Sequence, residues 1–165
     1  MPYELIVAEG EQCVAKNRNA GLAKATQTLV VMLDDDITLP PFWMSQMASV
    51  LDANEDVGLV SAARLGMSLA PQRGFGPFAP GEVSDCLPPG TCWMYDRERI
   101  AGCEFDEGYE ASLVEDTDFV YQVKAMRLKT VATGDVVILH ECNATNSNPE
   151  VYERNIGRFR EKWSQ

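Results

Sequence analysis

The sequence predicts an α/β domain with a mostly parallel sheet flanked by helices. Short apolar runs alternate with amphipathic stretches along the chain, as expected when helices cover both faces of a sheet. The run at residues 28–33 is apolar on both sides, which is typical of parallel strands buried between helices. The chain has 165 residues, of which 45% are hydrophobic and 24% charged, so residues 1–165 are expected to form a single globular domain.

The first part of the chain reads as strand, helix, strand, helix, strand. Residues 3–8 contain a short apolar run, and residues 12–25 follow with apolar positions that share one helical face. The strand at residues 28–33 ends abruptly at three acids. Pro40-Pro41 then favours a helix start, and that helix is expected to run to about residue 52, before a strand at residues 57–62.

The second part of the chain begins with a long connection. Residues 64–90 are rich in Gly and Pro and show no period, which predicts a loop with at most short elements. A strand at residues 91–95, a helix at 116–126 and a strand at 136–139 are expected next. An Asn-rich loop, residues 141–148, then leads to an amphipathic helix at 149–163.

Charge and composition exclude several classes of protein. The chain has 14 Lys+Arg against 25 Asp+Glu, a formal net charge of −11, which disfavours nucleic acid as a partner. No window approaches the roughly 20 apolar residues of a membrane span. The N-terminus has no basic leader, and the five cysteines form no C-x-x-C pair. Reduced thiols and a cytoplasmic location are therefore expected.

The acidic triplet Asp34-Asp35-Asp36 is the first candidate site. In open α/β sheets, ligands bind beyond the carboxyl ends of the strands, where the apolar strand places these acids. Two carboxylates about 5 Å apart repel by roughly 3 kcal/mol at an effective dielectric near 20, so a cation among them would be stabilising. Oxygen ligands suit Mg²⁺ or Mn²⁺. The alternative is a solvated acidic turn.

Three further groups have two interpretations each. His140, the only histidine, ends an apolar strand, so it is either a metal ligand near the triplet or a packed residue. Glu115 and Asp116 open an amphipathic helix, where acids stabilise the first turn and a carboxylate could also act as a general base. Arg18 could meet a phosphate or lie in solvent.

Five short motifs follow one another along the chain. They are Arg18-Asn19-Ala20-Gly21, Leu33-Asp34-Asp35-Asp36, Phe105-Asp106-Glu107, Glu115-Asp116-Thr117-Asp118-Phe119 and Val137-Ile138-Leu139-His140. In this order and at this spacing, they resemble the motifs of the inverting family 2 glycosyltransferases, which have the GT-A fold of nucleotide-diphospho-sugar transferases. The ending, residues 155–163, is similar to the tail of rhamnosyltransferase-type members. The resemblance covers nearly the whole chain.

The resemblance implies a donor site that contains a metal ion. The donor would be a nucleoside-diphosphate sugar, and Mn²⁺ or Mg²⁺ would hold its diphosphate through Asp34, Asp36 and His140. Asp34 or Asp35 would contact the ribose. The resemblance also gives Arg18 a place in donor binding.

The resemblance also implies a reaction. Asp116, with Glu115 beside it, would be the catalytic base that removes a proton from an acceptor hydroxyl, on a glycan or another molecule. Direct displacement at the anomeric carbon would then invert its configuration, as in a hexosyltransferase. Residues 90–93, Trp93 included, would line the sugar side, and residues 141–148 would close over the donor.

One departure from the family pattern keeps alternatives open. Family members begin with a strand and a helix that build much of the nucleoside pocket, whereas this chain starts at the family's second strand, residues 3–8. We therefore expect a compact or N-terminally shortened member whose first strand-helix unit is missing, and a second copy could complete the sheet. The alternative function is a non-catalytic nucleotide- or glycan-binding remnant or subunit. A nucleotidyltransferase is less favoured, because no Gly-rich basic phosphate loop is visible.

Overall fold

The computed structural model describes residues 3–10, 13–66, 76–77, 79–141 and 148–164, which form a six-stranded sheet with helices on both faces. The elements in chain order are α1 (Val14–Lys24), β1 (Leu29–Leu33), β2 (Ile37–Thr38), α2 (Trp43–Ala53), β3 (Val57–Gly66), β4 (Val83–Asp85), β5 (Cys92–Asp96), α3 (Glu115–Ala125), β6 (Lys129–His140) and α4 (Pro149–Trp163). Within those ranges, no helix combines the length and the apolar character that a bilayer crossing requires.

The sheet is mixed, which corrects the prediction of a mostly parallel one. Its strand order is β1-β5-β3-β6-β2, and β4 also pairs with β6. Among the described strands, only β3 and β6 form a parallel pair, because β5 lies antiparallel between β1 and β3 while β2 and β4 lie antiparallel to β6. An apolar run has the same period of two in either direction, so the sequence pattern could not reveal the orientation of β5.

The strands bury one hydrophobic cluster on each face of the sheet. On one face, α2 packs Met47 and Leu51 against sheet residues that include Met94. On the other face, α1 and α3 cover a cluster that includes Trp93 and Phe119. Trp93 and Met94 are neighbours in β5 and are both fully buried, as expected for a central strand covered on both sides. Each such side chain contributes roughly 1.5–3 kcal/mol of transfer free energy.

Several predicted boundaries agree with the structure within a few residues, and α4 begins and ends where expected. Helix α2 begins at Trp43, after both prolines, and its N-cap Phe42 has a left-handed φ of 62°. Strand β6 is much longer than residues 136–139, because its first half has small and polar residues that give no apolar run. The described part of the predicted 64–90 loop includes the short strand β4.

The predicted strand at residues 3–8 is absent. Tyr3, Leu5 and Val7 are 74%, 77% and 64% exposed. The segment is held at Glu4, whose Oε1 accepts hydrogen bonds from the backbone N–H groups of Thr26 and Gln27. Within the described ranges β1 pairs only with β5, so no neighbouring strand supplies backbone partners to residues 3–8. An apolar run forms a strand only where such partners exist.

Candidate functional site

Two strand ends bring Asp34, Asp36 and His140 together. Asp34 follows β1 directly, and its backbone N–H donates to the carbonyl oxygen of Thr91 at 3.0 Å. The chain then turns into β2, which pairs Ile37 with His140 at the end of β6. The Nε2 atom of His140 lies 3.0 Å from Oδ1 of Asp36. One ligand atom from each of the three residues lies within 4.8 Å of the others. The histidine that was expected near the acidic triplet therefore forms a three-residue cluster with two of its acids.

The cluster fits a hard divalent cation. Ligand oxygens on opposite sides of Mg²⁺ lie about 4 Å apart, close to the spread of these atoms. Two carboxylates and an imidazole form a donor set suited to Mn²⁺ or Mg²⁺. Burial raises the pKa of Asp34 above its ordinary value, Arg18 opposes this shift, and the Asp36 carboxylate adds to it. A bound cation would relieve both the desolvation and the repulsion. Asp35 is exposed and is not part of the cluster.

Arg18 connects this cluster to the start of α3. Its Nη2 donates to Oδ1 of Asp34 at 3.3 Å and to the carbonyl oxygen of Gly90 at 3.0 Å, and its Nη1 donates to Oε1 of Glu115 at 3.2 Å. The guanidinium also lies 5.2 Å from the ring centroid of Phe105. An arginine is suited to this position because its planar fork can bind two carboxylates while its face rests on an aromatic ring.

Glu115 is a buried acid with one unsatisfied oxygen. Its side chain is 5% exposed, and Oε2 finds no hydrogen-bond donor among the residues that the structure describes. Burial and the neighbouring Asp116 raise the pKa of Glu115 to about 7, against the attraction of Arg18. Glu115 is therefore poised to exchange a proton near neutral pH.

Asp116 is held at the N-terminus of α3 by backbone groups. Its Oδ2 accepts a hydrogen bond from the N–H of Gly90 at 3.1 Å, and its Oδ1 accepts one from the N–H of Thr117 at 2.6 Å. Since the carbonyl oxygen of Gly90 also accepts from Arg18, one residue fixes the position of Asp116 relative to Arg18. The positive end of the helix dipole stabilises negative charge at this place.

The structure corrects the predicted donor-binding role of Trp93. The indole is fully buried and therefore has no surface for a ligand. Its ring centroid lies 5.8 Å from that of Phe119 and 6.4 Å from that of Phe105. Its ring centroid is 6.0 Å from the Arg18 guanidinium. Trp93 thus packs beneath the Arg18 guanidinium and helps to hold it in place. The predicted loop 141–148 falls mostly outside the described residues.

The sequence analysis assigned no role to two asparagines of the site. Asn19 donates to the carbonyl oxygen of Phe105 at 2.8 Å and accepts from its N–H at 3.2 Å, which holds the loop that carries Phe105. Asn155 binds the backbone just before Glu115. Both lie inside motifs quoted for the family resemblance, so the signal was present, but an amide that binds backbone has no charge pattern.

Comparison with known proteins tests these motifs. Residues 2–73 match the family model of glycosyl transferase family 2. No curated protein matches the chain in sequence. The crystal structure of GalNAc-T7 with UDP, GalNAc and Mn²⁺ superposes with a TM-score of 0.66 at 12% identity, over 88% of this chain and 34% of that one. The crystal structure of S. aureus TarS 1-349 gives 0.57 at 14% identity, over 89% and 51%.

The chain has the GT-A fold of glycosyltransferases. At identities of 12% and 14%, the two structural matches establish the fold alone. The family match covers the part of the chain that contains Arg18 and the acidic triplet. The GT-A domain spans about a third of the GalNAc-T7 chain and half of the TarS chain.

Proposed function

We propose that the domain transfers a sugar from a nucleoside-diphosphate sugar to an acceptor hydroxyl with inversion at the anomeric carbon. The observation that carries this proposal is the position of Arg18, which contacts both Asp34 of the acidic cluster and Glu115, the neighbour of Asp116. A candidate cation site and a candidate base therefore lie on either side of one guanidinium. This arrangement suits a reaction that separates a leaving diphosphate from an attacking hydroxyl.

The donor would bind at the acidic cluster. Asp34, Asp36 and His140 offer the ligand atoms that would hold Mn²⁺ or Mg²⁺. When bound, such a cation neutralises charge that develops on the leaving diphosphate. Asp35 is exposed beside this cluster, where its carboxylate is free to accept hydrogen bonds from ribose hydroxyls. The GalNAc-T7 structure holds UDP and Mn²⁺ together, which supports this assignment.

The acceptor would react at Asp116. The acceptor oxygen forms a bond to the anomeric carbon while the bond from that carbon to the diphosphate oxygen breaks. Asp116 takes the hydroxyl proton, because its carboxylate is held at a helix N-terminus by the N–H groups of Gly90 and Thr117. A single displacement of this kind inverts the anomeric configuration.

Arg18 would act indirectly, by holding these groups in position. In donor binding it would keep Asp34 in place rather than contact a phosphate alone, because both terminal nitrogens already donate to protein oxygens. This fixed network reduces the reorganisation that the reacting groups need.

Calorimetric titration with UDP, GDP and dTDP, each with and without Mn²⁺, tests the proposal. We expect one nucleotide to bind in a manner that requires Mn²⁺. Incubation of the corresponding nucleotide-sugars should then release nucleoside diphosphate, with water as acceptor if no other is present. Metal-dependent binding without any turnover would support the non-catalytic remnant instead. Absence of binding to all three nucleotides would contradict the proposed donor class.

A further inference from the structure

The backbone that leads into Glu115 and Asp116 is strained. Ala111, Leu113 and Val114 have φ values of 55°, 103° and 79°. A left-handed backbone is unfavourable for a leucine and most of all for a β-branched valine, and such residues persist only where their surroundings hold them. Val114 is the N-cap of α3, so the strained segment determines where the first turn of that helix begins.

Asn155 of α4 binds this segment with its whole side chain. Its Oδ1 accepts a hydrogen bond from the N–H of Glu110 at 3.0 Å, and its Nδ2 donates to the carbonyl oxygens of Glu110 and Leu113, both at 3.0 Å. The residue is 2% exposed, so water does not replace these bonds. Three bonds from one rigid amide fix the backbone on both sides of Ala111.

Helix α4 is attached to the domain by other contacts as well. Lys162 and Trp163 both donate to the buried carboxylate of Asp118 at 2.8 Å, and Arg158 donates to Asp106 through two nitrogens at 2.7 and 3.1 Å. None of these contacts involves residues 110–114. Arg154 also pairs with the side chain of Glu110, but among the described residues of α4 it is Asn155 whose side chain binds the backbone of the strained segment.

We propose that Asn155 is a positioning residue for Asp116. It holds residues 110–113 in the strained path, which places the first turn of α3 against Arg18 and Gly90. Without it the segment relaxes towards negative φ, and the carboxylate of Asp116 moves relative to the acceptor. The inference rests on the proposed function, since it assigns the purpose of the strain to the proposed base.

The test compares Asn155→Ala with Arg158→Ala, which weakens the docking of the same helix without touching residues 110–113. Asn155→Ala should lower kcat of transfer by about 100-fold, as expected for a displacement of about 1 Å, with KM for the donor within twofold of wild type. Arg158→Ala should keep kcat within threefold. Adding Leu113→Gly to Asn155→Ala should recover part of kcat, because glycine adopts a φ of 103° without steric cost.

Amide hydrogen exchange gives a readout without turnover. The N–H of Asp118 donates to the carbonyl oxygen of Val114, so Asn155→Ala should speed its exchange and Arg158→Ala should not. An unchanged kcat, or equal losses of kcat in both single variants without rescue by Leu113→Gly, would overturn the inference. A wild-type domain without transfer activity would refute the proposed function, and exchange alone would then decide this inference.

Discussion

Arg18 and Gly90 fit together with no room for a side chain between them. Nη2 of Arg18 donates to the carbonyl oxygen of Gly90 at 3.0 Å, and a Cβ added at Gly90 would lie 2.8 Å from the same nitrogen and 3.0 Å from Cβ of Asp116. A side chain at this position would therefore displace the Arg18 guanidinium. The absence of a side chain lets the backbone N–H and carbonyl of this one residue bind Asp116 and Arg18 at once.

Gly90→Ala should damage the site more than the fold. The added methyl pushes the Arg18 guanidinium away from Asp34 and Glu115, at a cost of about 1–3 kcal/mol in the free energy of unfolding. Transfer activity should fall by about 100-fold, because the proposed base moves with Gly90. Urea unfolding and kcat measure the two effects.

Gly157→Ala is the matched control. Among the described residues, no atom from outside its own helical turn would lie within 4 Å of a Cβ at this position of α4, so alanine should stabilise the helix by about 0.5–1 kcal/mol and leave activity unchanged. Equal activity of Gly90→Ala and wild type would show that the contact with Arg18 is not needed for transfer.

The sequence predicted the proximity of Asp34, Asp36 and His140 better than it predicted the sheet. Acids after an apolar strand and a histidine after another strand are local patterns, and the turn from Asp36 into β2 brings them together. Strand direction depends instead on partners far along the chain. For the same reason residues 3–8, apolar but without a ladder partner in the described structure, were wrongly predicted as a strand.

Two further features could not be predicted from the sequence: the burial of Trp93 and the backbone hydrogen bonds of Asn155. The family resemblance implied that Trp93 lines the sugar side, yet its position in central strand β5 buries it. Asn155 binds backbone atoms some 42 and 45 residues earlier in the chain, and no local pattern reports such a contact. Burial and long-range hydrogen bonds follow from the fold, so they can be predicted only after the topology is known.

Asp36→Asn should weaken Mn²⁺ binding at least tenfold, since a neutral amide replaces a carboxylate ligand and leaves His140 with one acid fewer. Titration with Mn²⁺ alone measures this without a donor. Asp35→Asn removes the same charge one residue away but takes no ligand atom from the cluster, so its Mn²⁺ affinity should stay within about twofold. Equal weakening in both variants would indicate a general charge effect rather than a site.

Asp116→Asn should lower kcat by roughly 10²–10⁴-fold, because the amide cannot take the acceptor proton. Binding of nucleotide and Mn²⁺ should remain, since Asp116 offers no atom to the acidic cluster. Asp52→Asn, an exposed acid at the end of α2, controls for the loss of one negative charge. Transfer by Asp116→Asn at the wild-type rate would remove this residue from the mechanism.

Glu115→Gln should change how stability depends on pH. The folded-state pKa of Glu115 is raised to about 7 from an ordinary value of 4.5, chiefly by burial. Between these values the folded state binds more protons than the unfolded state, so this group lowers the free energy of unfolding as the pH rises from 4.5 to 7. The loss is on the order of 1–3 kcal/mol, complete above the folded-state pKa.

Glutamine still accepts from Arg18 through Oε1 but does not ionise, so the variant should be more stable than wild type at pH 8 and closer to it at pH 5, as measured by urea unfolding. A variant that is equally destabilised at both pH values would show that Glu115 is ionised in the folded protein throughout this range.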